Sequence, residues 1–398
     1  MRNSSPSFWG SLGKSDRFMV GNLFFLYFVQ GIFVIGIGSI LPMMKAEYGL
    51  SYETGGLLIS AHNIGSLITG LFAGMLPALF GYKRALLCFN VLPFVGFGLT
   101  LVTGNPIALF LAILLTGVGR AVVTYYNNQI INQLSRGSSG PLNMLHSFFA
   151  VGALLAPFMV LICTRGGDSG WRSAVYIIIG MGIVTMLTSP FMKMDSVAPE
   201  NEQAQQPAKA FGFFHEKLFW LTTIIMLCYL SIEASVMGWL VTYFIDSGAA
   251  SESSAQMLTT LLWIVILIGR SACVLIASKF PPPQFITAAS FGITAFLIVV
   301  LLSPSFAPLL IGTIGLGLCM AGMYGTTVSN ATEIFKQYPL AMGVFATITN
   351  IGSVVVPSVI GAIAGQYNMR IGLSVLLVPA VLLIAFALYN FKKHDRIS

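Results

Sequence analysis

Apolar runs of about twenty residues, separated by short polar breaks, follow one another along the whole chain. Twelve can be counted, at Phe18–Met43, Gly55–Leu79, Ala85–Val102, Pro106–Ile131, Leu142–Cys163, Ala174–Phe191, Phe219–Phe244, Met257–Ala277, Phe285–Leu302, Pro308–Asn330, Met342–Ala364 and Ile371–Phe391. A helix crosses the hydrocarbon core of a bilayer with roughly 20 apolar residues. Stretches such as Leu297-Ile-Val-Val-Leu-Leu302 do not alternate as barrel strands would. In lipid the backbone polar groups must be satisfied within the segment, so the runs predict helices. The first run is too long for the core of a secretory signal and lacks a small-residue cleavage site, so it too predicts a helix.

The widest polar break, Met194–Phe214, is rich in Glu, Gln, Pro and Ala. Six runs precede it and six follow. The expected organisation is a six-helix bundle over 1–193, a linker over 194–214 and a second six-helix bundle over 215–398. The halves also echo each other. Gly152-Ala-Leu-Leu-Ala-Pro157 in the fifth run returns as Gly352-Ser-Val-Val-Val-Pro357 in the eleventh. The fourth run ends in Gly117-Val-Gly-Arg-Ala-Val-Val-Thr-Tyr-Tyr-Asn-Asn-Gln129. The tenth, Gly315–Asn330, carries Gly-x-Gly, then Tyr, then Asn at similar offsets. A shared spacing of about 200 residues argues for a duplication.

Composition supports lipid as the solvent. The 398 residues are 56% hydrophobic and 8% charged, with mean hydropathy +0.86; a soluble domain carries about 25% charged residues. The net charge of +7 raises the question of nucleic acid, but its distribution excludes that reading. Breaks on one side hold Arg2, Lys14, Arg17, Lys83, Arg84, Arg136, Lys193, Lys209, Lys217, Lys279, Lys336, Lys392, Lys393 and Arg396. The other side holds only Lys45, Arg165, Arg172 and Arg370. The positive-inside rule makes the first side, with both termini, cytoplasmic in an inner or plasma membrane, and its basic excess meets anionic headgroups. The five cysteines are scattered, form no Cys-x-x-Cys pair and imply neither metal nor disulfide framework. Neither Gly-x-Ser-x-Gly, a Walker A loop nor His-Glu-x-x-His occurs, so no enzyme is expected.

Ionisable residues inside such runs are costly and by default mark a site. Here they are Arg120, Glu233 and Arg270, with His62 and His146. Arg120, Thr124, Asn127 and Asn128 form one stripe of a helix, which lines a cavity or bonds neighbouring helices. Asn143, His146 and Ser147 occupy a neighbouring face, expected to pair with the fourth helix or the loop. Glu233 follows Tyr229 by one turn. It either carries a coupling ion, H+ or Na+, or pairs with Arg270 or Arg120. His62, beside Asn63 and Ser66, is the second candidate proton carrier. Gln30 with Tyr27, Trp239, Tyr243, Tyr324, Thr327, Asn330, Thr347 and Asn350 complete the polar and aromatic inventory. Asn, Gln, Tyr and Trp supply neutral donors, acceptors and apolar faces, as sugar hydroxyls and ring faces require. Carboxylate or phosphate solutes would instead use Arg120 and Arg270.

Twelve helices split six and six with a central loop resemble the major facilitator superfamily over the full chain. The break after the second run, Gly74-Met-Leu-Pro-Ala-Leu-Phe-Gly81-Tyr-Lys83-Arg84, resembles that family's Gly-x-x-x-Asp-x-x-Gly-Arg-Lys signature, with Ala78 at the acidic position. Gly269-Arg270 in the eighth run also looks familial. Within the superfamily, Asn127-Asn128, Asn143-Met-Leu-His146 with Gly152 and Pro157, Trp239-x-x-x-Tyr243 and Trp263 before Gly269-Arg270 resemble the fucose/glucose/galactose symporters and their sodium–glucose transporter relatives. Those symporters carry acids in helices one and four; here Gln30 stands in the first and Arg120 and Thr124 in the fourth, so their proton site does not transfer.

The resemblance implies an all-α membrane protein with two bundles of six transmembrane helices that alternate about a midplane site. It implies a secondary transporter, acting as a monomer on a small-molecule substrate, with no cofactor beyond a coupling ion. The expected substrate is a sugar or similar neutral polar solute. Organic anions and exported amphipathic drugs remain alternatives, and a receptor of the same fold without turnover is the reading of a different class. Gly74, Gly81, Lys83, Arg84, Gly152, Pro157, Arg270, Gly352 and Pro357 are expected to serve gating and packing.

Overall fold

Each apolar run forms a helix. The computed structural model describes residues 8, 12–73, 76, 80–135, 139–165, 170–194, 212–276 and 280–394. The helices are α1 (Lys14–Tyr48), α2 (Tyr52–Phe72), α3 (Tyr82–Thr100), α4 (Pro106–Leu134), α5 (Ser139–Thr164), α6 (Gly170–Thr188), α7 (Lys217–Asp246), α8 (Glu252–Ile276), α9 (Pro282–Leu302), α10 (Phe306–Ser329), α11 (Pro339–Gln366) and α12 (Met369–Lys393). Among the described residues, eleven are long and apolar enough to cross a membrane. The exception is α3, whose hydropathy is lowered by Lys83 and Arg84 in its first turn. α10 is interrupted at Ala321–Gly322, where glycine weakens the helix. Most of the expected linker, residues 195–211, lies outside the described residues, as does Gly74.

Two compact units emerge, and they differ from the simple halves of the chain. The first comprises Met1–Gly36 and Ile64–Glu202; the second comprises Gln203–Ser398 together with Ile37–Asn63. The segment that changes allegiance is the second half of α1 and the first part of α2. Small residues are the reason: Gly38 and Gly56 let these segments approach α7 and α11 at backbone distance, Gly55 leaves room for the Trp239 ring, and Ser60 takes a hydrogen bond from Ser358.

In the first unit, α1 packs on α4 and α5. Met19, Val20, Leu23, Phe24 and Tyr27 bury one face of α1 against Val122, Val123, Tyr126 and Ile130 of α4 and Leu145 of α5. A Cβ on Gly152 of α5 would run into the Phe28 carbonyl of α1, so only glycine allows this approach.

The second unit repeats these devices. Gly352 of α11 packs against Ser231 and the Leu227 carbonyl of α7 as Gly152 packs against α1. Arg172 at the start of α6 donates to the Leu101 carbonyl after α3 at 2.8 Å. Arg370 at the start of α12 donates to the Ser303 carbonyl after α9 at 3.4 Å. The matching anchors lie about two hundred residues apart, which supports the duplication read from the two Gly-x-x-x-x-Pro elements.

Candidate functional site

The first unit holds a neutral hydrogen-bonded cluster on α1, α4 and α5. The stripe on α4 turns Thr124 and Asn128 toward α1, where Gln30 donates to the Thr124 hydroxyl at 2.5 Å. Asn128 is the node. Its amide donates to the Tyr27 hydroxyl at 3.1 Å and back to the Thr124 carbonyl at 2.7 Å. Its side-chain oxygen meets Nε2 of His146 at 3.1 Å. The His146 ring stands edge-on to Tyr27, with centroids 5.4 Å apart. This answers why an apolar helix carries a histidine: it reaches the fourth helix, as the sequence suggested. Histidine, amide and hydroxyls together offer both donors and acceptors without a fixed charge. Arg120, half-buried on the same helix, is two turns from Asn127. Asn127 itself is buried, and its amide donates to the Leu23 carbonyl at 3.2 Å; it bonds helices together.

The second unit holds the charged pair. Tyr229 donates one hydroxyl to both Oε1 of Glu233, at 2.9 Å, and the Met320 carbonyl, at 3.1 Å. Arg270 of α8 lies 4.0 Å from Glu233, a charge contact too long for a direct hydrogen bond. The Glu233 side chain is 21% exposed and Arg270 37%, so the carboxylate stays reachable by water. Tyr324 of α10 lies close enough to interact electrostatically with Glu233.

The same unit contains a seal between Ile37–Asn63 and helices α7, α8 and α11. Pro357 has no N–H, so it leaves the Ser353 carbonyl without its helical donor. The Asn63 amide fills that vacancy at 2.9 Å. One turn back, Ser60 donates to the Val354 carbonyl at 2.5 Å, and Ser358 donates to the Ser60 hydroxyl at 2.6 Å. Gly56 and Gly361 meet backbone to backbone: a Cβ on Gly56 would lie 2.6 Å from the Pro357 oxygen and 3.2 Å from the Gly361 Cα. At the Tyr52 end of this contact Tyr52 donates to Asp246 at 2.6 Å, and the Lys45 ammonium sits 3.1 Å over the Tyr52 ring. Gln256 of α8 donates to the Ser39 carbonyl at 2.8 Å.

Several residues expected to meet the substrate are committed elsewhere. Trp239 and Tyr243 are fully buried. The Trp239 indole donates to the Pro357 carbonyl at 3.1 Å, and Tyr243 donates to Val300 and Leu301 at 3.0 and 3.1 Å. With their polar tips satisfied by backbone, these aromatics pack the core rather than stack on a ring. Asn330 donates to Thr222 and Asn390 at 3.3 and 3.4 Å and so bonds α7 and α12. Asn350 turns back on its own helix to the Ala346 carbonyl at 2.7 Å. Thr327 and His62 are buried, and Asn63 belongs to the seal. Tyr324 stays exposed at 43%. Tyr243→Phe is therefore expected to lower the melting temperature by a few degrees, about 1–2 kcal/mol for two lost bonds to carbonyls, with transport intact; an unchanged melt of the detergent-purified protein would contradict this.

Tyr52, Asp246, Ser60 and Gln256 were not singled out by sequence. A signal existed for α2: Tyr52, Gly56, Ser60 and Asn63 recur at helical spacing on one stripe of small and polar residues. Their partners lie as far as 302 residues away, which no local pattern shows.

Comparison with known proteins decides the family. The sequence profile of the Major Facilitator Superfamily matches residues 23–331. The chain belongs to the Major Facilitator Superfamily. It is an integral, multi-pass membrane transporter of small-molecule substrates. The chain is 25% identical to "Uncharacterized MFS-type transporter YfkL" of Bacillus subtilis, over 96% of this chain and 97% of that protein. It is 22% identical to the "Probable sulfoacetate transporter SauU" of Cupriavidus necator, over 64% and 63%. It is 21% identical to a "Glucose/galactose transporter" of Brucella abortus, over 95% and 94%. The solved structure of the nucleoside transporter NupG superposes with a TM-score of 0.74 at 16% identity, covering 96% of this chain and 99% of that one.

The superfamily signature after the second helix is described from Phe80 onward. Gly81 caps α3 with φ +74°, a left-handed conformation that glycine adopts without steric cost. Lys83 and Arg84 then open the helix. There they meet the positive end of its dipole, so helix stability does not account for them.

Proposed function

We propose that this transporter moves a neutral polyhydroxylated solute, a hexose or close analogue, by alternating access, and couples it to a proton or sodium ion through Glu233. The observation that carries the substrate class is the uncharged cluster Tyr27–Gln30–Thr124–Asn128–His146. Hydroxyl groups of a sugar can replace its internal bonds one for one, because each group there can donate or accept. The similarity to the glucose/galactose transporter supports this reading. Glu233 is suited to coupling because, among the described residues, its carboxylate accepts one direct hydrogen bond, from Tyr229, with Arg270 4.0 Å away. A proton or a sodium ion can then change its charge without dismantling a tight ion pair. The seal around Gly56 and Gly361 is the contact set that must open and close in each cycle. The transporter would sit in an inner or plasma membrane with both termini cytoplasmic.

Asn128→Ala removes the node of the cluster, and weakens hexose binding by about tenfold to a hundredfold, the effect of one to two lost hydrogen bonds in a desolvated site. Scintillation proximity binding of labelled hexose to the purified protein measures it. Wild-type affinity in this variant would remove the cluster from the binding site.

A second reading is an organic-anion transporter, favoured by the similarity to the probable sulfoacetate transporter. It would place the anion on Arg120 or on Arg270. The contact of Arg270 with Glu233 weighs against the latter, since an anion there would have to displace the carboxylate.

A further inference from the structure

The first unit carries, at its basic end, two adjoining grooves that the transport reading does not use. One, of about 660 Å3, is lined by Lys14, Ser15, Phe18, Leu187, Thr188, Phe191 and Lys193. The other, of about 430 Å3, is lined by Phe80, Gly81, Tyr82, Lys83, Arg84, Met192, Lys193 and Met194. Lys193 borders both.

The lining has two chemistries in one place. Lys14, Lys83, Arg84 and Lys193 supply four cations. Phe18 is 46% exposed, Leu187 65%, Phe191 74% and Phe80 53%. Asp16, in the first turn of α1, is the nearby carboxylate, and Arg17 turns away to donate to the Leu12 carbonyl at 3.1 Å. Exposed aromatic and aliphatic side chains beside lysines at the end of a transmembrane helix belong to the level where headgroups meet acyl chains. Lys83 and Arg84 oppose the dipole of the helix they open, so an anion beside them relieves that repulsion.

We infer that these grooves form a binding site for one anionic phospholipid, its phosphate held by Lys193 with Lys14 and the Lys83–Arg84 pair, and its acyl chains lying on Phe18, Leu187 and Phe191. A free phosphate would satisfy the cations and leave the apolar wall bare. A zwitterionic lipid would cover the wall but bring its own cation to the lysines. Only a lipid with net negative charge answers both. The site depends on the membrane setting alone and stands whether the solute is a hexose or an anion.

Native mass spectrometry of the full chain, titrated with phosphatidylglycerol or phosphatidylcholine, tests it. Wild-type protein is expected to retain one phosphatidylglycerol at least tenfold better than phosphatidylcholine. The Lys14→Gln/Lys193→Gln double variant, both side chains being exposed, should lose about thirtyfold in that retention, the effect of two cations at a membrane surface. Lys392→Gln/Lys393→Gln, basic residues at the end of α12, should leave it unchanged. Equal retention of the two lipids, equal loss in both double variants, or displacement of the lipid by millimolar inorganic phosphate would overturn the proposal; the last would make it a free-anion site.

Discussion

Gly56→Leu is expected to lower transport at least about a hundredfold while the protein still folds and inserts. At Gly56 a Cβ would meet the Pro357 oxygen at 2.6 Å, the Ser358 Cα at 3.1 Å and the Gly361 Cα at 3.2 Å. All three are backbone atoms, so no rotamer change relieves the clash and α2 must move away from α11. Overpacking costs typically 1–3 kcal/mol, and backbone against backbone belongs at the upper end. Moving α2 also breaks the Ser60–Ser358 and Asn63–Ser353 bonds. A shift near 3 kcal/mol changes a two-state equilibrium by more than a hundredfold, so the sealed state would be nearly lost. Spin labels at Ala46 and Ser253 report it, because Ala46 adjoins Lys45 on Tyr52 and Ser253 lies one turn before Gln256, which bonds Ser39. The distance distribution should move to longer values. A wild-type distribution together with wild-type transport would show that the glycine contact is not part of the cycle.

Glu233→Gln should separate coupling from movement. Glutamine keeps the acceptor for Tyr229 and nearly the same volume, so the packing of α7 is preserved. It cannot take up a proton or present a charge to sodium. Accumulation of solute against a gradient is expected to fall about a hundredfold or more, while exchange of solute across the membrane stays within about threefold of wild type. The basis is that loss of one essential charge change removes the driving step and leaves binding in place. Gradient-driven accumulation at the wild-type level would take Glu233 out of the coupling role. His62 would then be the carboxylate's replacement as the group to test, although it is buried at 4% exposure.

Much of the architecture was legible in the sequence because lipid imposes a simple rule: long apolar runs become helices. The doubling was legible too, since Gly152 and Gly352 repeat for the same reason, a backbone approach that tolerates no Cβ. The pairing of His146 with α4 followed from a stripe on each helix. The role of Trp239 and Tyr243 did not follow. An aromatic side chain in a membrane helix reads the same whether it faces a ring or a carbonyl, and their partners, Pro357 and Val300–Leu301, lie far along the chain. The allegiance of Ile37–Asn63 to the second unit was equally hidden. Hydropathy counts helices but does not say where along its length a helix changes neighbours. The clue was the small-residue stripe Gly56, Ser60 and Asn63, whose meaning depended on Pro357 freeing a carbonyl some 290 residues away.

Binding and carriage of a neutral sugar are read out by counterflow in proteoliposomes, which needs binding and alternation but no ion gradient. Vesicles holding the purified transporter are preloaded with unlabelled hexoses, diluted into labelled hexose, and followed over minutes. Transient accumulation of label, lost in Asn128→Ala and kept in Glu233→Gln, is the predicted result. No accumulation by folded, inserted protein, with counterflow of a sulfonate or carboxylate in its place, would contradict the account and assign the solute to the arginines.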